Sequence, residues 1–390
     1  MFNLHLSPEQ LEIRDTVRDF VAREVKPVAL KAERLEPFAK PLLATQLDGA
    51  SRLGLRTLAL PEAAGGAGAD NLTCCIVTEE LAVGDPDIAA VLAHTAALGR
   101  LLERAMTPAQ RERFLPQFVR DDAFHLALAE REPGCETALG VNYHRPAAVP
   151  VLRTSAVRSG SQWVIDGVKT AVANAPIARL FVVQTGAGAV LIPRDTAGVT
   201  VSEQQGHWFH GSCGEVTFSN CRVPADNLLG AGLETSRSAE LQALNLGIGR
   251  AAYEAALEYA QLRVQGGRRI VEHQAIGAKL AGIAIRLEVA RAAVWRAAWA
   301  SDHPEAVADR SLPDLPLATI ARVYTAETML EVAKDAAECF GAMGVMRDLP
   351  MQKYVHDARV CLHSGDGSAD AMLKLAEVLA GYRRPAMTGT

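Results

Sequence analysis

Near the C-terminus the chain reads His356-Asp357-Ala358-Arg359-Val360-Cys361-Leu362-His363-Ser364-Gly365-Asp366-Gly367-Ser368, which sets one acid between two glycines. Glycine adopts backbone angles that bulkier residues resist, so Gly365 and Gly367 permit a tight turn and close approach of a ligand to the main chain. A carboxylate on such a turn is a candidate general base, and Asp366 is that carboxylate. Gly-Asp-Gly by itself is also an ordinary turn sequence. Its meaning depends on the elements that must position it.

The segment joins two helix-like stretches, and the rest of the chain falls into three textures. From Ser7 to about Val119 the pattern is helical. Ser7-Pro8 and Thr107-Pro108 are helix starts, each a capping hydroxyl followed by proline in the first turn, and Leu11, Val17, Phe20, Val21 and Val25 recur at helical spacing. The run Gly65-Gly66-Ala67-Gly68 lacks the Lys-Ser/Thr ending and the upstream strand of a phosphate loop, so it reads as a turn. Between about Phe124 and Gly232 short β-branched runs appear, such as Trp163–Ile165, Leu180–Val183, Val190–Ile192 and Val216–Phe218. Turns such as Asp166-Gly167 and Gly186-Ala187-Gly188 separate them, which predicts a small antiparallel barrel or sandwich. From Leu233 onward Leu241, Leu244, Ile248 and Ala252, then Ile276, Leu280, Ile283 and Leu287, follow helical spacing, and four such helices predict an up-and-down bundle. The expected fold is mainly α with a small β domain: an N-terminal helical domain over 1–122, a middle β domain over 123–232 and a four-helix bundle over 233–390.

At 390 residues, 49% apolar and 22% charged, the chain is long enough for two or three domains and has the composition of a globular protein. A net charge of −5 gives no reason to expect nucleic acid or an anionic membrane as partner. The seven cysteines include no Cys-x-x-Cys pair, which fits reduced thiols and neither a disulfide framework nor a zinc site. The first residues lack the basic and apolar regions of a secretory signal, and no apolar run is long enough to span a bilayer. A cytoplasmic location is expected. His207, Trp208, Phe209 and His210 have no further ligands at metal-binding spacing, so no metal site is expected there.

The chain resembles the acyl-CoA dehydrogenase family over nearly its whole length. The resemblance is carried by Leu60-Pro61-Glu62 with Gly65-Gly66, Thr78-Glu79-Glu80-Leu81-Ala82, Trp163-Val164-Ile165-Asp166-Gly167-Val168-Lys169 with Asn174-Ala175, and Cys221-Arg222-Val223-Pro224-Ala225-Asp226-Asn227. In the bundle it is carried by Arg263, Glu272-His273-Gln274-Ala275-Ile276, Phe340-Gly341, Gly344 and Asp357-Ala358-Arg359. It implies a homotetramer, a dimer of dimers, with FAD between the β domain, the bundle and a neighbouring subunit. It also implies removal of hydrogens from the α and β carbons of an acyl thioester, on coenzyme A or an acyl-carrier protein. A carboxylate takes the α-proton and the flavin accepts the hydride. Electrons would then pass to an electron-transfer partner or to oxygen.

The same resemblance assigns the site residues and exposes departures. The family's basic Glu-Gly-Thr falls, with one inserted residue, on Asp366-Gly367-Ser368; the aspartate is shorter by one methylene, about 1.5 Å. Some relatives carry the base on the first bundle helix, at the position of Arg237 here, and Glu240 lies one turn further as an alternative base. A solvated surface acid is the plainer reading of Glu240. The flavin-contacting Thr-Glu-Pro stretch becomes Ala129 through Gly134 and Cys135. Trp-Ile-Thr becomes Ala171-Val172-Ala173, losing the aromatic that packs on the ring and the hydroxyl near its edge. Arg263, Gln274, Gly341, Gly344, Gly367 and Ser368 are the remaining expected cofactor contacts, and Glu79, Glu80 and Arg237 the expected substrate contacts. Loss of the ring contacts leaves two other readings. One is non-redox proton chemistry on a thioester (elimination, decarboxylation or cyclisation), with Asp366 and His363 as the titrating pair. The other is a non-catalytic partner subunit.

Overall fold

The computed structural model describes residues 5–35, 41–133, 152–203, 209–230, 239–363 and 367–381. Among the described residues helices come first: α1 Pro8–Phe20, α2 Lys26–Ala29, α3 Ala44–Arg52, α4 Asn71–Gly84, α5 Pro86–Ala105 and α6 Pro108–Arg120. Their starts are local chemistry. Ser7 and Gln10, and likewise Thr107 and Gln110, form reciprocal capping boxes around a proline. Asp70 caps α4 and Asp85 caps α5. Helix α4 is buried from Leu72 to Gly84, its polar Thr73, Thr78, Glu79 and Glu80 included.

The strands that follow among the described residues are β1 His125–Ala129, β2 Ser155–Ser159, β3 Gln162–Ala173, β4 Ala178–Thr185, β5 Gly188–Pro193, β6 Val199–Glu203 and β7 Cys213–Pro224. They form one sheet ordered β1-β4-β5 and another ordered β2-β3-β7-β6. All pairings are antiparallel except β1–β4, which is parallel. The long connection between β1 and β4 lets β1 enter from the helical region and run alongside β4, a geometry that alternation of apolar residues does not reveal. Phe181, Val183, Ile165 and Val216 fill the core between the sheets.

The bundle consists of α7 Glu240–Leu262, α8 Gln274–Asp302 and α10 Leu317–Cys339, closed by the pair α11 Met351–His363 and α12 Gly367–Ala380. A hairpin, β8 Val264–Gln265 with β9 Arg268–Arg269, precedes α8, and short α9 Glu305–Ala308 lies in the connector before α10. Helices α1, α4, α7, α8 and α10 share one apolar core. The approach of α7 to α4 depends on Gly247, where a Cβ would lie 2.5 Å from both the Ala82 Cβ and the Glu79 carbonyl oxygen. Helix α5 packs against both α7 and β1, which brings the bundle against the β domain.

Candidate active site

A cavity of about 240 Å³ lies at that junction. Ala171 and Ala173 of β3 and Cys213 of β7, with Ser212, form its β wall. Ala90 and His94 of α5, Leu241, Gln242, Leu244 and Asn245 of α7, Arg322 of α10 and Cys361 of α11 form the helical side, with Arg131, Phe209 and His210 at the loops. The β wall is shaped by the end of β3, where Ala171 and Asn174 adopt positive φ of 49° and 64°. Asparagine tolerates this region better than most residues because its side chain hydrogen-bonds locally. The buried Asn174 amide donates to the carbonyls of Val91 (3.1 Å) and Leu126 (3.3 Å) and to Thr95 Oγ1 (3.1 Å), tying β3 to α5 and β1.

A buried ion pair fixes the loop that carries Arg131. Lys169 Nζ lies 2.7 Å from Glu132 Oε1 and also donates to the Glu130 carbonyl. The Glu132 carboxylate accepts from the amides of Arg153 (2.6 Å) and Thr154 (3.0 Å). Burial alone would raise its pKa, but Lys169 and these donors hold it down at about 2.

The two histidines of the cavity are in opposite states. Burial pushes His94 down to about 4, so its ring is neutral at pH 7. His210 Nδ1 lies 3.4 Å from Asp87 Oδ1, and its Nε2 lies 3.0 Å from the Asp357 main-chain oxygen. Both partners are acceptors, so both ring nitrogens carry hydrogen and His210 is an imidazolium. Burial opposes this charge, but the Cys361 sulfur and Asp87 raise the His210 pKa well above its ordinary value.

Among the residues expected from sequence, Ala171 and Ala173 line the cavity. Ala129 is buried in the β-domain core, two residues before Arg131. Gly341, at φ 57°, ends α10, and Gly344 packs where a Cβ would meet the Ala337 oxygen at 2.5 Å. Arg263 and Gln274 are exposed beside the β8–β9 hairpin. Gly367 and Ser368 open α12. Gly134, Cys135, Arg237 and Asp366 lie outside the described residues.

Three expectations change. Glu240 is no surface acid: it is 1% exposed, and its carboxylate sits 3.9 Å from Arg100 Nη1 and beside the Cys74 thiol, not on the cavity wall. The substrate contacts expected at Glu79 and Glu80 are instead buried in an ion-pair network. Arg250 Nη1 (2.9 Å) and Arg291 Nη2 (2.8 Å) bind Glu79, while Arg18 Nη2 (2.7 Å) and Arg250 bind Glu80. Burial works against ionisation of Glu80, but Arg250 and Arg18 hold it below its ordinary value. These carboxylates lock α1, α4, α7 and α8 together. His363, at the end of α11, is exposed. The lining residues His94 and Arg322 carried no signal in the sequence, since only the fold assembles them, and Arg131 and Cys361 lie within motif segments in which neither was assigned a role. Among the described residues no cluster of His, Cys, Asp and Glu is placed to hold a metal ion, and no helix is long and apolar enough to cross a membrane.

Residues 7–122 match the N-terminal domain model of acyl-CoA dehydrogenases, and residues 231–377 match the C-terminal domain model. An acyl-CoA dehydrogenase of Bacillus subtilis is 28% identical, with 97% of this chain and 100% of the relative aligned. The mitochondrial short-chain specific acyl-CoA dehydrogenase of Bos taurus is also 28% identical, over 95% and 90% of the two chains. Butyryl-CoA dehydrogenase from Megasphaera elsdenii superposes with a TM-score of 0.81 at 24% identity, covering 97% and 100%. The prolyl acyl carrier protein oxidase AnaB does so with a TM-score of 0.79 at 22% identity, covering 96% and 100%. The chain belongs to the acyl-CoA dehydrogenase family, FAD-dependent oxidoreductases that act on CH–CH bonds.

Proposed function

We propose that this chain dehydrogenates the α,β bond of an acyl thioester in the cavity between β3 and the bundle. The observation that carries the reading is the meeting of the Ala171/Ala173 wall with α11, the helix that leads into the Gly-Asp-Gly segment. Cys361, on the helical side of the cavity, lies two residues before the end of α11, and α12 opens at Gly367. Asp366, between them in sequence, is the proposed base for the α-proton.

The residues present fit a flat cofactor. Ala90, Ala171, Ala173 and Ser212 give the cavity a wall of small side chains, and the left-handed turns at Ala171 and Asn174 bend the β3 main chain beside it. FAD bound there supplies the acceptor for the β-hydrogen. Arg263 and Gln274, exposed at the hairpin, would hold the diphosphate and adenine half. The chain's own residues do the rest. Leu241, Leu244 and Ala90 cover the acyl group and exclude water, which strengthens every hydrogen bond to a developing enolate. Arg131 and the imidazolium of His210 give the cavity positive potential, which stabilises that negative charge.

The carrier is coenzyme A or an acyl-carrier protein, and the electron acceptor an electron-transfer protein or oxygen. Exposed Ile285 and Val289 on α8, with Val345 and Met346 after α10, support assembly into a homotetramer, a dimer of dimers, that covers this apolar surface. The chain is read as a cytoplasmic protein.

A second reading rests on the histidines: a neutral His94 and a charged His210 on one cavity are an acid and a base with separated environments. It predicts thioester elimination, decarboxylation or cyclisation without net oxidation. Product mass separates the two: loss of two hydrogens supports dehydrogenation, and conserved mass or loss of carbon dioxide supports proton chemistry.

A further inference from the structure

Dehydrogenation as proposed above uses only the charge of His210 and gives no role to Cys361 and Asp87, which complete a Cys-His-Asp constellation on the same cavity. Cys361 is 5% exposed, lines the cavity and is in no disulfide. It sits one turn after Asp357 on α11, and in a helix the carbonyl at 357 faces the amide at 361. His210 Nε2 shares that carbonyl at 3.0 Å, which places the ring against the Cys361 turn, within hydrogen-bonding reach of its sulfur. On the other edge Asp87 Oδ1 holds Nδ1 at 3.4 Å, and the same oxygen accepts the Gly211 amide at 3.0 Å. Asp87 lies in the first turn of α5, so the carboxylate is fixed by secondary structure on one side and by the strand-entry loop on the other.

We infer that Cys361 is a nucleophile of the cavity, that His210 is its proton partner and Asp87 the positioning residue, and that the thiol accepts the acyl group from its carrier by thioester exchange. A cation beside a thiol, itself oriented by a third group, is the arrangement that activates cysteine for attack. Burial pushes the second cavity thiol, Cys213, up to about 11, which makes it the reference for the labelling test below. In the exchange the Cys361 sulfur bonds to the thioester carbonyl carbon as the carrier's carbon–sulfur bond breaks. The proton held between Cys361 and His210 leaves on the carrier thiol. One thioester replaces another, so the acyl α-carbon keeps its acidity and no oxidant or reductant is needed.

The inference rests on the proposed entry of a thioester into this cavity, and its test has an arm that does not. The FAD-loaded full chain is treated in parallel with iodoacetamide, with butyryl-CoA and with a prolyl thioester of N-acetylcysteamine, then quenched in acid and mapped by mass spectrometry. Iodoacetamide is expected to label Cys361 at least about 10-fold faster than Cys213, and a thioester to leave a hydroxylamine-labile acyl group on Cys361. Cys361→Ser removes both labels. His210→Gln, or Asp87→Asn where that variant folds better, slows both by about 10²-fold with the melting temperature recorded alongside. Alkylation of Cys361 no faster than of Cys213 overturns the inference whatever the thioesters do. Flavin bleaching with Cys361 unacylated also overturns it and leaves the dehydrogenase reading intact. Neither bleaching nor acylation by either thioester sinks both.

Discussion

Lys169 Nζ lies 2.7 Å from Glu132 Oε1 with both side chains sealed from solvent, and this pair fastens the loop after β1 to the middle of β3. The Thr170 amide adds a bond to the Arg131 carbonyl at 2.9 Å. Arg131, which adjoins Glu132, and Ala171, two residues beyond Lys169, both line the cavity, so the pair ties two of its wall segments together. Removing one partner leaves an uncompensated buried charge. Lys169→Met is therefore expected to cost about 3–5 kcal/mol in chemical denaturation, while Lys169→Met with Glu132→Leu recovers most of it.

The same carboxylate gives a pH dependence. Its pKa is about 2 in the fold against an ordinary 4.5, so the folded state prefers the charged form. The stabilisation is complete above about pH 5 and fades as pH falls through 4.5 toward 2, a loss of about 3 kcal/mol. Denaturation midpoints across that window, compared with Glu132→Gln, measure it: the variant is expected to lack this part of the acid-induced loss.

At Glu79 the expectation separates stability from binding. Glu79→Gln breaks contacts with Arg250 and Arg291 and is expected to cost roughly 3 kcal/mol. The KM for the thioester should stay unchanged, because the carboxylate faces the inter-helix network. A raised KM with unaltered melting would restore the substrate role expected from sequence.

Backbone strain makes a prediction of opposite sign. Ala171 holds φ at 49°, a region that costs a residue with a Cβ roughly 1–2 kcal/mol. Ala171→Gly removes that penalty but adds unfolded-state entropy, so a net gain of about 1 kcal/mol is expected. Asn174→Ala should lose about 1–3 kcal/mol, since it strips the donor from the Val91 and Leu126 carbonyls.

What the sequence made legible was what short-range chemistry decides. The capping hydroxyls followed by proline at Ser7 and Thr107, the helical spacing through Leu241 and Ile248, and the turn at Gly186 between β4 and β5 all involve neighbours within a few residues. Asp166-Gly167, expected as a turn, is instead a bulge inside the continuous strand β3. The parallel pairing of β1 with β4 was hidden because both directions bury the same alternate side chains. His210 resisted assignment because its partners, Asp87 and Asp357, are 123 and 147 residues away. Glu240 read as a surface acid for the same reason: the arginine that makes its burial tolerable comes from α5. The family motifs pointed to the β3 wall through Asn174, yet the cavity's own departures, alanines where relatives carry tryptophan and threonine, could be weighed only once the wall was seen to be made of small side chains.

The most direct test is the visible spectrum of the purified protein, followed anaerobically as a thioester is added. The account predicts a flavin band, bleaching on addition and a product two hydrogens lighter, with Asp366→Asn retaining the band and slowing bleaching by at least about 10²-fold. A protein that stays colourless after incubation with excess FAD, or that returns every thioester with its hydrogens intact, would contradict it.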